Sequence, residues 1–270
     1  MSIITISKGS MKKGEEVARK VSEKLGYDCI SRDILLEASK DFNVPEAKLR
    51  QAMDDVPSFF NMFFDKTGEY VNYMKTALLN YLRKDNIVYH GFAGHYFVRD
   101  VPHVLKVRIN ESLESRARDV MERDGVSYEK ARNSLVRTDD SRKVWGKKLY
   151  DIDLENSTGY DLTFLIDTIT VDKAVDMICQ AIDLPGFQST PEVLSRLEDL
   201  YLESQLELAL QEYSPKLSIR VNQGDVNIEF DGLLPKKRNA MEEIIEKINR
   251  VPGVKNINVD SKLNIADIYE

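Results

Sequence analysis

Cysteine is nearly absent from this chain: of 270 residues only Cys29 and Cys179 are cysteines. They are too few and too far apart for a disulfide scaffold, and their apolar surroundings predict two buried free thiols in a reducing compartment. Long hydrophobic runs are also missing, because charges interrupt every apolar stretch before the roughly 20 residues a bilayer requires. No charged leader precedes Ile3-Ile4-Thr5-Ile6, so no secretory signal is expected, and the reading is a soluble, cytoplasmic protein. Positive charge is not in excess: the formal balance is -7, which disfavours non-specific nucleic-acid binding. His90 and His95 flank a glycine segment without a carboxylate or cysteine at ligand spacing, so no metal site is predicted and both histidines read as hydrogen-bonding residues.

What is present suffices for two cores, with 42% hydrophobic residues distributed over a chain of two-domain length. The opening β-branched run, a polar glycine-containing stretch, then Val17, Ala18, Val21 and Leu25 at helical spacing read as strand, loop and helix. Residues 31 to 84 read as mainly helical, punctuated by Pro45 and Pro57. Between these prolines Phe59, Phe60, Phe63 and Phe64 form an aromatic cluster, either core or a homodimer face. Buried-strand patterns recur at 87–89, 104–109 and 162–166, each followed by a loop or amphipathic helix, which implies a parallel sheet. Pro and Gly from 183 to 191 mark a boundary. The predicted division is a domain over 1–183, a linker over 184–190 and a second domain over 191–270. The second domain reads as helix, strand (217–221), strand (226–230), helix (236–250) and strand (254–259), a compact αββαβ unit.

The loop after the first strand carries the spacing of a phosphate-binding loop. Gly9 and Gly14 bracket Ser10-Met11-Lys12-Lys13 between a strand and a helix, the context in which backbone N–H groups cradle phosphate. The two positions that follow hold Glu15 and Glu16, where such a loop needs a lysine and a hydroxyl. Unit charges about 4 Å apart interact by roughly 4 kcal/mol at an effective dielectric of about 20, so this exchange turns an attraction of that order into a repulsion. Lys12 and Lys13 stand nearby as replacement charges. Without any ligand, glutamates in the first turn of a helix gain about 0.3 to 1 kcal/mol each from the helix dipole.

Residues 3–14, 18–27, Ser31-Arg32-Asp33-Ile34 and 104–140, with Met121-Glu122-Arg123-Asp124-Gly125, together resemble the cytidylate kinase-like family of P-loop nucleoside monophosphate kinases. The likeness runs over about residues 1–182. It implies an α/β fold with a parallel sheet flanked by helices, and a basic lid carrying Arg137-Thr138-Asp139-Asp140-Ser141-Arg142. By this resemblance Arg137 and Arg142 clamp the transferring phosphate and Asp139 or Asp140 orients them; an exposed helical face of paired charges is the other reading of the same residues. Lys8, Gly9, Ser10, Lys12, Lys13 and Gly14 are the implied phosphate-binding set, and Arg32, Asp33 and Arg116 the implied acceptor-binding set. Two departures stand out. Gly91-Phe92-Ala93-Gly94 replaces the family's Gly-Arg-Asp-like segment, and no carboxylate ends the strand at 87–90 to hold magnesium.

The C-terminal pattern, Ser218-Ile219-Arg220-Val221, Gly224 to Gly232 and Val251-Pro252-Gly253-Val254, is similar to a BON domain, which implies a binding module for a protein partner with no catalytic residues of its own. Three readings remain open. The chain is a nucleotide- or metabolite-responsive binding protein with a degenerate loop, or an active CMP-type kinase using ATP and magnesium. In the third reading it is an adaptor in which Glu15 and Glu16 fill the old anion position and no cofactor binds.

Overall fold

A computed structural model describes residues 2–31, 67–91, 94–99, 101–150, 157–213, 217–230 and 240–260. Arg32, Asp33, Phe92, Ala93 and the phenylalanine cluster at 59–64 lie outside them. Contacts divide the chain into two compact units, one of residues 1–68 and 84–190, the other of 69–83 and 191–270.

In the first unit five parallel strands, β1 (Ile3–Lys8), β2 (Asp28–Ser31), β3 (Ile87–Gly91), β4 (Val104–Asn110) and β5 (Leu162–Leu165), lie in the order β2-β3-β1-β4-β5. β1 is central, with Ile3 facing Ile87 on one side and Val104 on the other. A strand covered on both faces is mostly apolar, and β1 and β3 are buried along nearly all their length, Thr5, Ser7 and His90 included. Helix α1 (Met11–Leu25) contributes Val17, Ala18 and Val21 to the core. Ser10 caps its start and Gly26, at φ 70°, ends it. β2 is the element that the residue pattern did not mark: four residues at the sheet edge, two of them exposed. Cys29 lies on that edge and is exposed, which corrects its expected burial; Cys179 is buried, and both are free thiols.

β3 is followed by α3 (Gly94–Phe97), a single turn, and β4 by the packed helix pair α4 (Leu113–Asp124) and α5 (Tyr128–Tyr150). After β5, α6 (Val171–Ile182) lays Ala174, Val175 and Ile178 into the same core as α1. The segment after α6 is held by the first unit: Ser2 Oγ donates to Phe187 O at 2.7 Å, and Ser189 Oγ donates to Asp85 Oδ2 at 2.8 Å.

The second unit contains α2 (Thr67–Leu82), which belongs to it from Glu69 onward, and α7 (Pro191–Ala209). Lys75 pairs with Glu207 at 2.8 Å, and Arg83 pairs with Glu198 at 3.1 Å while lying over the Tyr201 ring. A three-stranded mixed sheet follows. β6 (Leu217–Asn222) and β7 (Asp225–Phe230) form an antiparallel hairpin, and β8 (Asn256–Asp260) joins β7 in parallel after α8 (Ala240–Asn249). The hairpin turn is Gln223-Gly224, at φ 51° and 86°, a pair of left-handed positions suited to a two-residue connection. Asp199 accepts from the N–H groups of Gln223 and Gly224 at 2.8 and 3.1 Å, and Glu203 accepts from Val221 N at 2.9 Å and from Arg196 at 3.1 Å. These carboxylates are buried because the hairpin supplies the hydrogen bonds that burial demands. Among the described residues no helix is long and apolar enough to cross a membrane.

Leu206 has no exposed surface in the second core. Leu206→Ala is expected to destabilise that core by about 2 to 5 kcal/mol, measured as faster amide hydrogen exchange in β6 and β7; unchanged exchange there would contradict the packing described.

Candidate functional site

The carboxyl ends of β1, β3 and β4 border a cavity of about 340 Å³. In an open parallel sheet this is where strands diverge to opposite sides and where ligands lodge. The wall holds Lys8 from β1, Arg108 from β4, Arg116 from α4, and Arg142 and Lys143 from α5. Five cationic side chains thus face two carboxylates, Glu111 and Asp139, within a chain whose net charge is -7. A larger cavity of about 800 Å³ adjoins it and shares Gly9, Glu111, Arg116 and Arg142.

The loop between β1 and α1 departs from expectation. Gly9 N–H and Ser10 N–H both donate to the carbonyl of Ile109, at 2.8 and 3.2 Å, so β4 takes the donors that a phosphate cradle would use. Helix α1 starts at Met11, which puts the next four residues of the Gly9-to-Gly14 spacing into regular helix. Ser10 Oγ accepts from Lys13 N at 3.2 Å as the helix cap. The two glycines serve close packing: a Cβ on Gly9 would meet Asn110 Oδ1 at 2.4 Å, and one on Gly14 would meet Lys8 Cγ at 2.6 Å. The Lys8 stem therefore runs across Gly14 toward the cavity.

Glu15 and Glu16 lie in the second turn of α1, one turn beyond the expected position, because the helix begins earlier than the glycine spacing implies. Glu15 is exposed, and Glu16 pairs with Lys20 at 3.2 Å and Lys13 at 3.8 Å. Both line the larger cavity and neither lines the cationic one, so they do not fill an anion position there. Lys12 pairs with Asp119 at 3.4 Å on the surface.

Arg116 is the most constrained cation. Its two terminal nitrogens hold Asp139 as a fork at 3.1 and 2.7 Å, and one of them also reaches Gly9 O at 3.2 Å. The Asp139 bond holds the guanidinium proton more firmly than in water, raising its pKa against the opposing cost of burial. Arg116 thereby ties the loop, α4 and α5 together. Of the expected lid residues, Arg142 enters both cavities and donates to the Met11 sulfur at 3.5 Å. Arg137 and Asp140 are exposed on α5 outside both.

Arg108, Tyr160, Lys143 and Glu111 lay outside the sequence reading, whereas His95 was expected as a hydrogen-bonding residue. Arg108 donates to Asn110 Oδ1 at 2.9 Å and to the Tyr160 hydroxyl at 3.1 Å. Tyr160 packs on His95 with ring centroids 4.5 Å apart, and His95 Nδ1 is hydrogen-bonded to Ser7 Oγ at 2.9 Å. Lys143 completes the wall. A signal for Arg108 existed: Lys106 and Arg108 alternate with apolar residues in a strand that must be buried, which is costly unless charge has a use at that face. No described residues converge as a metal-holding group of three His, Cys, Asp or Glu side chains.

Burial, with Arg108 and Lys106 adding positive charge, pushes the His95 pKa down from 6.5 to about 4. His95 is accordingly neutral at pH 7. Because the folded value lies below the unfolded one, acid favours the unfolded chain: the penalty is absent above the unfolded pKa and grows as pH falls from 6.5 toward 4. Between pH 7 and pH 5 His95 should cost the fold about 2 kcal/mol. Denaturant titrations at both pH values should show that loss in the wild type and its absence in His95→Asn; an equal loss in both would refute the assignment.

The comparisons agree with this architecture. The model of the cytidylate kinase-like family matches residues 3–168. Cytidylate kinase of Pyrobaculum calidifontis is 27% identical over 128 residues, 46% of this chain and 69% of that one. That of Methanococcoides burtonii is 24% identical over 173 residues, 63% and 90% of the two chains. Among solved structures, an uncharacterized protein from Eubacterium ventriosum shares the fold at a TM-score of 0.53 and 24% identity, covering 67% of this chain and 98% of that chain. The family model matches more than half of the chain's length, so the chain belongs to the cytidylate kinase-like family.

Proposed function

We propose that this protein binds a phosphorylated nucleotide in the cavity at the carboxyl ends of β1, β3 and β4, through side chains instead of a loop of backbone donors, and acts as a nucleotide-responsive binding protein. The observation that carries the reading is the convergence there of Lys8, Arg108, Arg116, Arg142 and Lys143 beside a neutral His95. Guanidinium groups bind phosphate oxygens with two parallel hydrogen bonds, and a partly enclosed cavity strengthens each of them. Gly9 and Ser10, by contrast, have their N–H groups engaged by Ile109 O. The 191–270 segment is read as a BON-type module that recruits a protein partner; the order helix, strand, strand, helix, strand supports this.

A second reading, an active CMP-type kinase, is favoured by the adjoining cavities, which give room for two ligands with Arg116 and Arg142 at their junction. The relatives named cytidylate kinase support it as well. ATP and magnesium are then the cofactors. The five cations fit the triphosphate, and magnesium would neutralise charge as the phosphoryl group moves.

Calorimetric titration with ATP and with CMP, followed by a coupled phosphoryl-transfer assay, separates the readings. Binding without turnover supports the binding protein, turnover establishes the kinase, and no binding of either nucleotide up to millimolar concentration eliminates both and leaves the adaptor. Arg108→Ala or Arg142→Ala should weaken binding by roughly tenfold to a hundredfold, the equivalent of one charge-assisted hydrogen bond. Arg137→Ala, outside both cavities, should change it less than about twofold.

A further inference from the structure

Glu111 follows the last residue of β4 and lines both cavities. It is 9% exposed, its Oε1 accepts from Ser115 Oγ at 2.7 Å, and its Oε2 is buried without a hydrogen-bond partner among the described residues. A buried carboxylate oxygen normally keeps a donor, because the unmade bond is costly. Arg116 is near enough to feel its charge, and the Arg116 Nε is likewise buried without a hydrogen-bond partner, yet no cation among the described residues bonds Oε2: both terminal nitrogens of Arg116 serve Asp139 and Gly9, and Arg108 serves Asn110 and Tyr160. The other carboxylates of the two walls differ. Glu16, Asp119, Asp124 and Asp139 each hold a lysine or arginine, and Glu15 is exposed.

A carboxylate in the wall of an anion cavity opposes phosphate on its own, and one of its oxygens lies just beneath that wall. A divalent cation removes the contradiction, because magnesium is commonly held by one or two carboxylates together with phosphate oxygens of the ligand. We propose that Glu111 is the protein's ligand for the magnesium ion that enters with the nucleotide phosphates, at the junction of the two cavities. This rests on the reading of the cavity as a phosphate site. It also supplies, from the end of β4, the carboxylate that the sequence lacks at the end of β3. Asp139 cannot take this role while Arg116 grips both of its oxygens.

The charge logic makes the test two-signed. Full-length protein is titrated calorimetrically with ATP in millimolar magnesium and again in excess chelator, for the wild type, Glu111→Gln and Glu111→Asp. In the wild type magnesium should tighten ATP binding. In Glu111→Gln that gain should fall by about tenfold to a hundredfold, the range typical of losing a metal-site group, while metal-free ATP binds more tightly because a repelling charge has gone. Bound Mn²⁺, followed by electron paramagnetic resonance with ATP present, should be lost in parallel. Glu111→Asp keeps the charge but shortens the reach, so it should lose part of the magnesium gain without the metal-free gain; it decides the matter if Glu111→Gln melts below the assay temperature. Retention of the full magnesium gain in Glu111→Gln overturns the inference alone, as does equal weakening with and without metal, the signature of a carboxylate that accepts a ligand hydroxyl. Absence of heat from the wild type under both conditions overturns the phosphate-site reading and the inference together.

Discussion

The close approach of Gly9 to the end of β4 governs the site. With no side chain at position 9, the backbone comes near enough for Ile109 O to receive two N–H groups, and a methyl group there would strike Asn110 at 2.4 Å. Once those donors are committed, the chain has no reason to bulge around an anion, and Ser10 can cap a helix that starts at Met11. The positions of Glu15 and Glu16 follow from that early start. The freedom of Arg116 to bond Gly9 O follows from it too, since that carbonyl remains turned toward α4.

With the backbone donors engaged, the groups available to meet negative charge at this cavity are side chains, and the physics of the two solutions differs. Backbone N–H groups are fixed by the fold and carry partial charge. Lysine and arginine carry full charge but lose rotamer freedom, about 1.5 to 2 kcal/mol each, when held. The protein reduces that loss by bracing three of its cations beforehand. Arg108 is fixed by Asn110 and Tyr160, Arg116 by Asp139 and Gly9, and Lys8 by its passage over Gly14. A charge held in place in the free protein has less to lose when a phosphate arrives. Asp139 has a double effect: it positions Arg116 and also offsets part of its charge.

The elements most legible in the sequence were those whose residue pattern has one cause. The run at 87–89 is apolar, and that at 104–109 is apolar but for Lys106 and Arg108, because central parallel strands are covered twice, and β3 and β4 appear there. The strand expected at 226–230 appears as β7, with one buried and one exposed face. Where two causes compete, the pattern misled. Gly9 and Gly14 at loop spacing suit either a phosphate cradle or two tight contacts, and only tertiary structure separates these. Cys29 looked buried from its apolar neighbours but lies on an edge strand, whose exposure depends on sheet order and not on local composition. The family likeness pointed to Arg142 and Arg137 alike, and of the two only Arg142 lines the cavities. Glu111 was not legible, because its significance depends on a missing bond partner and no linear pattern encodes one.

The two units treat buried charge in opposite ways, and the contrast bears on which charges belong to function. In the second unit Asp199 is held by two of the hairpin's N–H groups and Glu203 by one of them and by Arg196, so both complete a local structure. In the first unit the spare N–H groups at the loop go to a backbone carbonyl, while charged side chains converge on open space. Overall charge hides this division. A balance of -7 suggests little attraction for a polyanion, yet the field at the cavity is set by groups within a Debye length, about 8 to 10 Å. Five cations around about 340 Å³ outweigh a dispersed acidic surface at that range.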